Sequence, residues 1–198
     1  MKTEELKMEY LIIYAHPNAK SFNHAIKETI EAGLRESAKD YLLRDLYQMR
    51  FDPLLNLNDL SLMQEGKVAE EIRREQELIK DASVLIFIYP VWWFGMPAIL
   101  KGYIDRVFSY GFAFEFTDKG PEGLLLNKRV VIFNTAEGTE RLYSSMGYTE
   151  AMKTATEAGI FEFCGMKVSL HKYFYEVNSV TAEARIKMLE EVKRSVII

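Results

Sequence analysis

The chain has 198 residues, enough for one domain with its own core and short for two typical ones. Apolar residues make up 48% and charged ones 27%, which excludes a disordered tail or a coiled coil, and a net charge of −4 argues against nucleic acid or an anionic membrane as the main partner. Aromatic residues stand out: 12 Phe, 11 Tyr and 2 Trp, of which eleven fall between Phe87 and Phe116.

Residues 1–9 are charged and expected to fray. Tyr10–Ala15 is a short apolar run rich in β-formers, the signature of a strand buried on both faces. After the loop His16–Asn23 a helical period begins near His24, carried by Ala25, Ile26, Thr29, Ile30 and Leu34, with Ser21 or Asn23 as its N-cap. A shorter strand at Tyr41–Arg44 leads into an irregular stretch over Asp45–Pro53, and a charge-dense helix spans about Lys67–Lys80. Val84–Tyr89 is the most apolar strand. Pro90–Pro97 turns, and Ala98–Ser109 is helical. Phe112–Phe116 alternates aromatic with small or acidic residues, which suggests a short exposed excursion. A fourth strand at Arg129–Phe133, a loop over Asn134–Tyr148, a helix at about Thr149–Ala158, a turn at Phe161–Met166, a fifth strand at Val168–Tyr173 and a helix at Ala182–Arg194 complete the pattern.

Ala82–Leu100 is a run of nineteen uncharged residues, close to the length of a membrane-spanning helix. Pro90, Gly95 and Pro97 interrupt it, so it is better explained as a buried strand, a loop and the start of a helix. No stable membrane insertion is expected. No basic head followed by an apolar run opens the sequence, and the cytoplasm is the expected compartment. The single cysteine, Cys164, has no internal partner, no metal-ligand spacing and no adjacent base, which makes it a buried structural thiol. His24 and His171 have no paired ligands at metal spacing either, so no metal is expected.

Strands that alternate with helices imply parallel pairing through right-handed crossovers. Five of them fit one domain over residues 1–198, an α/β doubly wound parallel sheet in the order 2-1-3-4-5 with helices on both faces. Ligands of such sheets sit at the carboxyl edge near the switch point, so the loops after strands one, three and four are where chemistry belongs.

The first loop has neither a Gly-x-Gly-x-x-Gly nor a P-loop lysine. It offers His16 and Ser21-Phe22-Asn23 at a helix start, which suits either a phosphate or ordinary capping. The second, Tyr89–Pro97, places Trp92, Trp93 and Phe94 between two prolines. Those rings would stack on a planar ligand or simply plug the sheet end. The third, Asn134–Tyr143, is polar and contains glycine; its amides would meet the opposite edge of the same ligand, or it is a mobile surface loop.

These residues resemble the NAD(P)H:quinone oxidoreductases of the flavodoxin-like fold, a family that includes small bacterial NAD(P)H dehydrogenases. The resemblance rests on Ala15-His16 with Ser21-Phe22-Asn23, on Asp45-Leu46-Tyr47 with Phe51 and Pro53, and on Phe87 and Tyr89-Pro90 through Gly95. It continues through Pro97–Phe108, Lys119-Gly120-Pro121 and Phe163-Cys164-Gly165, and so covers Tyr10 to about Leu189. It implies a homodimeric flavoprotein that passes two electrons from NAD(P)H through FAD or FMN to a quinone-like acceptor, with ping-pong kinetics. His16, Ser21, Phe22 and Asn23 would hold the phosphate side. Pro90, Val91, Trp92, Trp93 and Phe94 would line the ring, and Asn134, Thr135, Ala136 and Glu137 would complete it. Tyr143 matches a tyrosine assigned to hydride transfer. Trp93, Phe94, Tyr148 and Phe163, with Phe114 and Phe116 from the partner subunit, would wall the substrate pocket. Arg185 matches an arginine near the adenine half of FAD, which favours FAD over FMN.

The chain departs from that pattern at three places, one being the C-terminal extension of the longest members, which it lacks. Thr149 stands where mammalian members carry a histidine, and Ala136-Glu137 replaces a glycine pair in a loop one residue longer. A flavodoxin-type electron carrier and a flavin-binding regulatory subunit of a membrane transporter are the alternative functions.

Overall fold

The structure is a computed structural model and describes residues 8–196. The expected fraying of residues 1–9 therefore falls almost wholly outside the described residues. Five parallel strands form the central sheet: β1 (Tyr10–Tyr14), β2 (Tyr41–Asp45), β3 (Val84–Pro90), β6 (Arg129–Thr135) and β7 (Lys167–Phe174). Their order is β2-β1-β3-β6-β7. This is the expected 2-1-3-4-5 topology; the numbers differ because a two-stranded antiparallel hairpin, β4 (Phe114–Thr117) with β5 (Gly120–Gly123), is inserted before β6.

The period of two along each strand separates two cores. Leu11, Ile13 and Ala15 with Leu85, Phe87 and Tyr89 face one side; Tyr10, Ile12 and Tyr14 with Val84, Ile86 and Ile88 face the other. The first side is covered by α3 (Glu70–Asp81), α4 (Ala98–Val107) and a nine-residue π-helix, Thr154–Glu162, which contributes Phe161. The second is covered by α1 (Phe22–Glu36) through Ile26, Ile30 and Leu34, and by α7 (Ala182–Val196) through Val192. Strands buried on both faces explain the continuous apolar runs at β1 and β3.

The run Ala82–Leu100 is strand, loop and helix start, and among the described residues no helix is long and apolar enough to cross a membrane. Cys164 is buried, and burial pushes its thiol up to about 11.

Two helical regions depart from expectation. Helix α2 (Leu57–Gln64) lies in a stretch with no strong apolar stripe, and its start is fixed by a reciprocal capping box between Asn56 and Asp59. The loop expected over Asn134–Tyr148 contains a short helix, α5 (Glu140–Ser145), and α6 (Tyr148–Lys153) runs on into the π-helix.

A buried arginine ties α2 to α4. Arg106 donates from Nε and one terminal nitrogen to the two carboxylate oxygens of Asp59, at 2.8 and 3.0 Å, and from the other to the Asp52 carbonyl at 2.9 Å. Burial opposes ionisation of Asp59, but Arg106 and the Asn56 cap outweigh it and hold the carboxyl below its ordinary value. In the same corner α4 approaches the chain closely at Gly102, where a Cβ would stand 2.1 Å from the Pro53 carbonyl oxygen and 2.4 Å from Pro53 Cβ. Backbone cannot yield there as a flexible side chain would. Gly102→Ala is expected to lower stability by about 3 kcal/mol or more, measured as a fall in the urea midpoint at unchanged slope.

Candidate functional site

Three crossing loops and the one after β7 surround a cavity of about 230 Å³ at the carboxyl edge of the sheet. From the first loop come His16, Asn18, Lys20, Ser21, Phe22 and Asn23; from the second Pro90, Val91 and Trp92; from the third Thr135, Ala136 and Glu137. Val177 and Asn178, which follow β7, close it. Sequence reasoning did not consider these last two, although the carboxyl-edge rule applies to β7 as much as to its neighbours.

Ser21 is the N-cap of α1, its hydroxyl accepting from the His24 N–H at 3.1 Å, so the capping reading is correct. The cap leaves the first-turn N–H groups of α1 at the cavity wall, where a helix start favours an anion. His16 Nδ1 accepts from the Asn18 N–H at 3.0 Å. Burial lowers the pKa of His16, so the ring is neutral at pH 7. Asn23 is 2% exposed and donates its amide to Thr135 Oγ1 at 2.6 Å, joining the first loop to the third. Its Oδ1 is buried with no hydrogen-bond partner. An orphaned acceptor on a cavity wall fits a ligand that brings a hydroxyl or N–H.

The second loop is clasped to the third by the Val91 N–H donating to the Thr135 carbonyl at 2.8 Å. Trp92 and Gly95 then exchange backbone hydrogen bonds at 3.1 and 3.0 Å, a turn closed only because Trp93 and Phe94 both take left-handed φ values of 50° and 57°. Two consecutive bulky residues in that region are strained, a cost that clusters at ligand-binding sites. The turn sends its three rings apart. Trp92 stands 6.0 Å from the His16 ring, Trp93 is 98% exposed, and Phe94 packs on Tyr148 at 4.1 Å and Tyr143 at 5.6 Å.

Tyr143 is buried in a small cluster with Ala136 and Met152, flanked by Tyr148, Tyr173 and Tyr175. Burial raises its pKa, and the neighbouring Tyr175 and Glu137 add to that, so it remains a hydroxyl donor at neutral pH. Thr149, at the position of the family histidine, pairs its hydroxyl with the Tyr175 hydroxyl at 3.1 Å.

Other expected site residues, Glu137 apart, lie elsewhere. Asn134 is 1% exposed and does not line the cavity; its amide donates to the Tyr89 carbonyl at 3.1 Å and its oxygen faces His171 at 2.6 Å. Glu137 hydrogen-bonds Asn178, and Arg185 donates to the Val177 carbonyl at 3.2 Å, behind the cavity wall. Phe114, Phe116 and Phe163 form a separate wall: Phe114 is 5.2 Å from Phe163 and 5.8 Å from Phe116, and Phe114 and Phe163 line an apolar groove of about 510 Å³ beside α4. Among the described residues no group of His, Cys, Asp and Glu is placed to hold a metal ion.

A profile of the flavodoxin-like-fold family matches residues 8–196. An uncharacterized NAD(P)H oxidoreductase of Haemophilus influenzae is 36% identical over 92% of this chain and 91% of its own length. A Rattus norvegicus NAD(P)H dehydrogenase (quinone) 1 is 31% identical over 93% of this chain and 74% of its own. The chain belongs to the NAD(P)H:quinone oxidoreductase family of the flavodoxin-like fold. Among solved structures, an NAD(P)H:quinone oxidoreductase from Methanothermobacter marburgensis aligns with a TM-score of 0.85 at 29% identity, covering 96% of this chain and 98% of that one. Of the departures from the family pattern, Ala136 and Glu137 line this cavity and Thr149 does not.

The Asn23–Thr135 bond is the polar tie between the two halves of this cavity. Thr135→Val would bury the Asn23 amide with neither end paired, and a loss of about 1–3 kcal/mol is expected by chemical denaturation.

Proposed function

We propose that this chain is a flavin-dependent NAD(P)H oxidoreductase that delivers two electrons to a quinone-like acceptor, working as a homodimer. The observation that carries it is the cavity built from the loops after β1, β3, β6 and β7, with a helix start and an orphaned buried acceptor on its wall. Kinship with relatives of that activity supports the same reading.

The residues fit a flavin. His16 and the turn Ser21-Phe22-Asn23 bind its phosphate side, where capped helix amides and a neutral imidazole neighbour an anion. Asn23 Oδ1, buried and unpaired, would be the acceptor for a hydroxyl of the bound flavin. Pro90, Val91, Trp92, Trp93 and Phe94 frame the ring, chiefly through the backbone of a turn whose side chains splay outward. The backbone of Asn134, Thr135, Ala136 and Glu137 completes its edge. Bound flavin supplies the hydride-accepting centre, and the protein positions it and sets its surroundings. FAD is favoured over FMN because Arg185 matches an arginine near the adenine half of FAD in the family and is tied to the carbonyl of Val177, a residue of the cavity wall.

Tyr143 donates its hydroxyl to negative charge that develops at the ring edge or on the acceptor, since burial keeps it protonated. Phe94 and Tyr148 form the flat wall on which nicotinamide and acceptor alternate. Phe116 and Phe163 are exposed with Phe114 half-buried beside them, and a second copy brings these rings over the site. Phe163 packs on Phe114, so all three rings come from the partner.

Tyr143→Phe is expected to lower kcat about 100-fold with the flavin still bound; an unchanged kcat would remove the tyrosine from the reaction. Anaerobic NADPH is expected to bleach the flavin absorption, and initial rates at several acceptor concentrations to give parallel lines. A flavin that stays oxidised would make the chain an electron carrier. Chromatography of the released flavin distinguishes FAD from FMN.

A further inference from the structure

The register of β6 and β7 shifts between Val130 and Val131, leaving Ser169 unpaired, and beyond that bulge His171 lies on the same face of the sheet as Asn134. Both nitrogens of the His171 ring are engaged. Nε2 is 2.6 Å from Asn134 Oδ1, and Nδ1 is 2.8 Å from Oε1 of Glu157, in the π-helix. The far end of Asn134 donates Nδ2 to the Tyr89 carbonyl at 3.1 Å. A carbonyl only accepts, so the direction of every link is set from that end. Asn134 Nδ2 must donate; its Oδ1 must then accept; His171 Nε2 must therefore carry a hydrogen. The remaining contact, Nδ1 to Glu157, needs a hydrogen of its own.

From this count we propose that Glu157 and His171 hold one exchangeable proton between them and thereby act as positioning residues for Asn134 and the loop that follows it. With the proton on the carboxyl, Glu157 donates to a neutral ring. With the proton on the ring, an imidazolium faces a carboxylate. Burial disfavours both charges: it lowers His171 to about 4, with Lys153 adding to it, and it raises Glu157. The neutral arrangement is the one that results. Around the pair stand Lys153 and Glu150 from α6, Tyr89 from β3, and Tyr173, whose ring stacks on His171 at 4.4 Å.

Removal of that proton breaks the chain wherever the remaining hydrogen is placed. A hydrogen on Nδ1 satisfies ionised Glu157 but sets bare Nε2 against Asn134 Oδ1. A flip of the Asn134 amide repairs that contact and sets Oδ1 against the Tyr89 carbonyl. No tautomer or rotamer relieves the conflict. Its effect reaches the cavity, because the next residue, Thr135, receives the Asn23 amide and the Val91 clasp.

The readout in ligand binding rests on the flavin reading above, so the test has two arms. Affinity for FAD and FMN, followed by quenching of flavin fluorescence from about pH 5 to about pH 9, is expected to be about tenfold weaker in the wild type on the alkaline side of the pair's titration than on the acid side. Glu157→Gln gives Nδ1 a permanent N–H donor and is expected to keep the acid-side affinity across the range. Glu157→Ala is expected to show the weakened affinity throughout. Nitrogen NMR of imidazole-labelled protein forms the second arm and is expected to find a hydrogen on His171 Nε2 at neutral pH. A Glu157→Gln profile that tracks the wild type, or a His171 ring with bare Nε2 at neutral pH, would overturn the proposal. If no flavin binds at any pH the flavin reading falls, and the imidazole shifts still decide the proton count.

Discussion

Two neighbouring residues at the end of β6 must point to opposite faces of the sheet, and the site depends on that alternation. Thr135 turns toward α1 and takes the Asn23 amide. Asn134 turns toward the π-helix and is held between Tyr89 and His171. Between them the backbone carbonyl of Thr135 receives the Val91 N–H from the next loop. The first turn of α1, the loop after β3, and strands β3 and β7 thus converge on a dipeptide whose geometry is set by strand pairing on both sides, β3 to one and β7 to the other. The π-helix belongs to the same arrangement: such segments are rare and concentrate at functional sites, and this one brings Glu157 to the buried imidazole.

The core of the fold was legible because it is written in contiguous apolar runs. Tyr10–Tyr14 and Val84–Pro90 are buried on both faces, and such runs alternating with helical periods are what a parallel sheet covered on both sides requires. The cavity was legible for a related reason, since a doubly wound sheet fixes where loops meet before any side chain is considered. What escaped were features carried by few residues or by distant ones. Helix α2 has a capping box at its start, Asn56 with Asp59, but no stripe to mark its length. Phe112–Phe116 was expected as an exposed excursion, but Phe112 and Ala113 are buried in the core, and the pairing of Phe114–Thr117 with Gly120–Gly123 escaped because those strands are four residues long and include Pro121.

His171 shows the limit most clearly. In sequence it is an isolated histidine without ligand spacing; in the fold it meets Glu157 and Asn134, fourteen and thirty-seven residues away. Its role depends on a single-residue bulge that no local signal announces. Asn134 illustrates the converse. It was expected at the start of the loop after the fourth strand, but it belongs to the end of the strand itself, where alternation turns its side chain inward and leaves the cavity to its neighbours.

The loop from Pro90 to Pro97 carries both tryptophans of the chain, side by side, one against the His16 ring and one almost wholly in water. The core of the sheet, built from Phe, Tyr, Ile, Leu and Val, contains none. Indole emission from this protein therefore comes from a single turn at the mouth of the cavity. It is a local gauge of that turn, with Trp93 already red-shifted by water in the native state, and it is a poor gauge of whether the sheet beneath has melted.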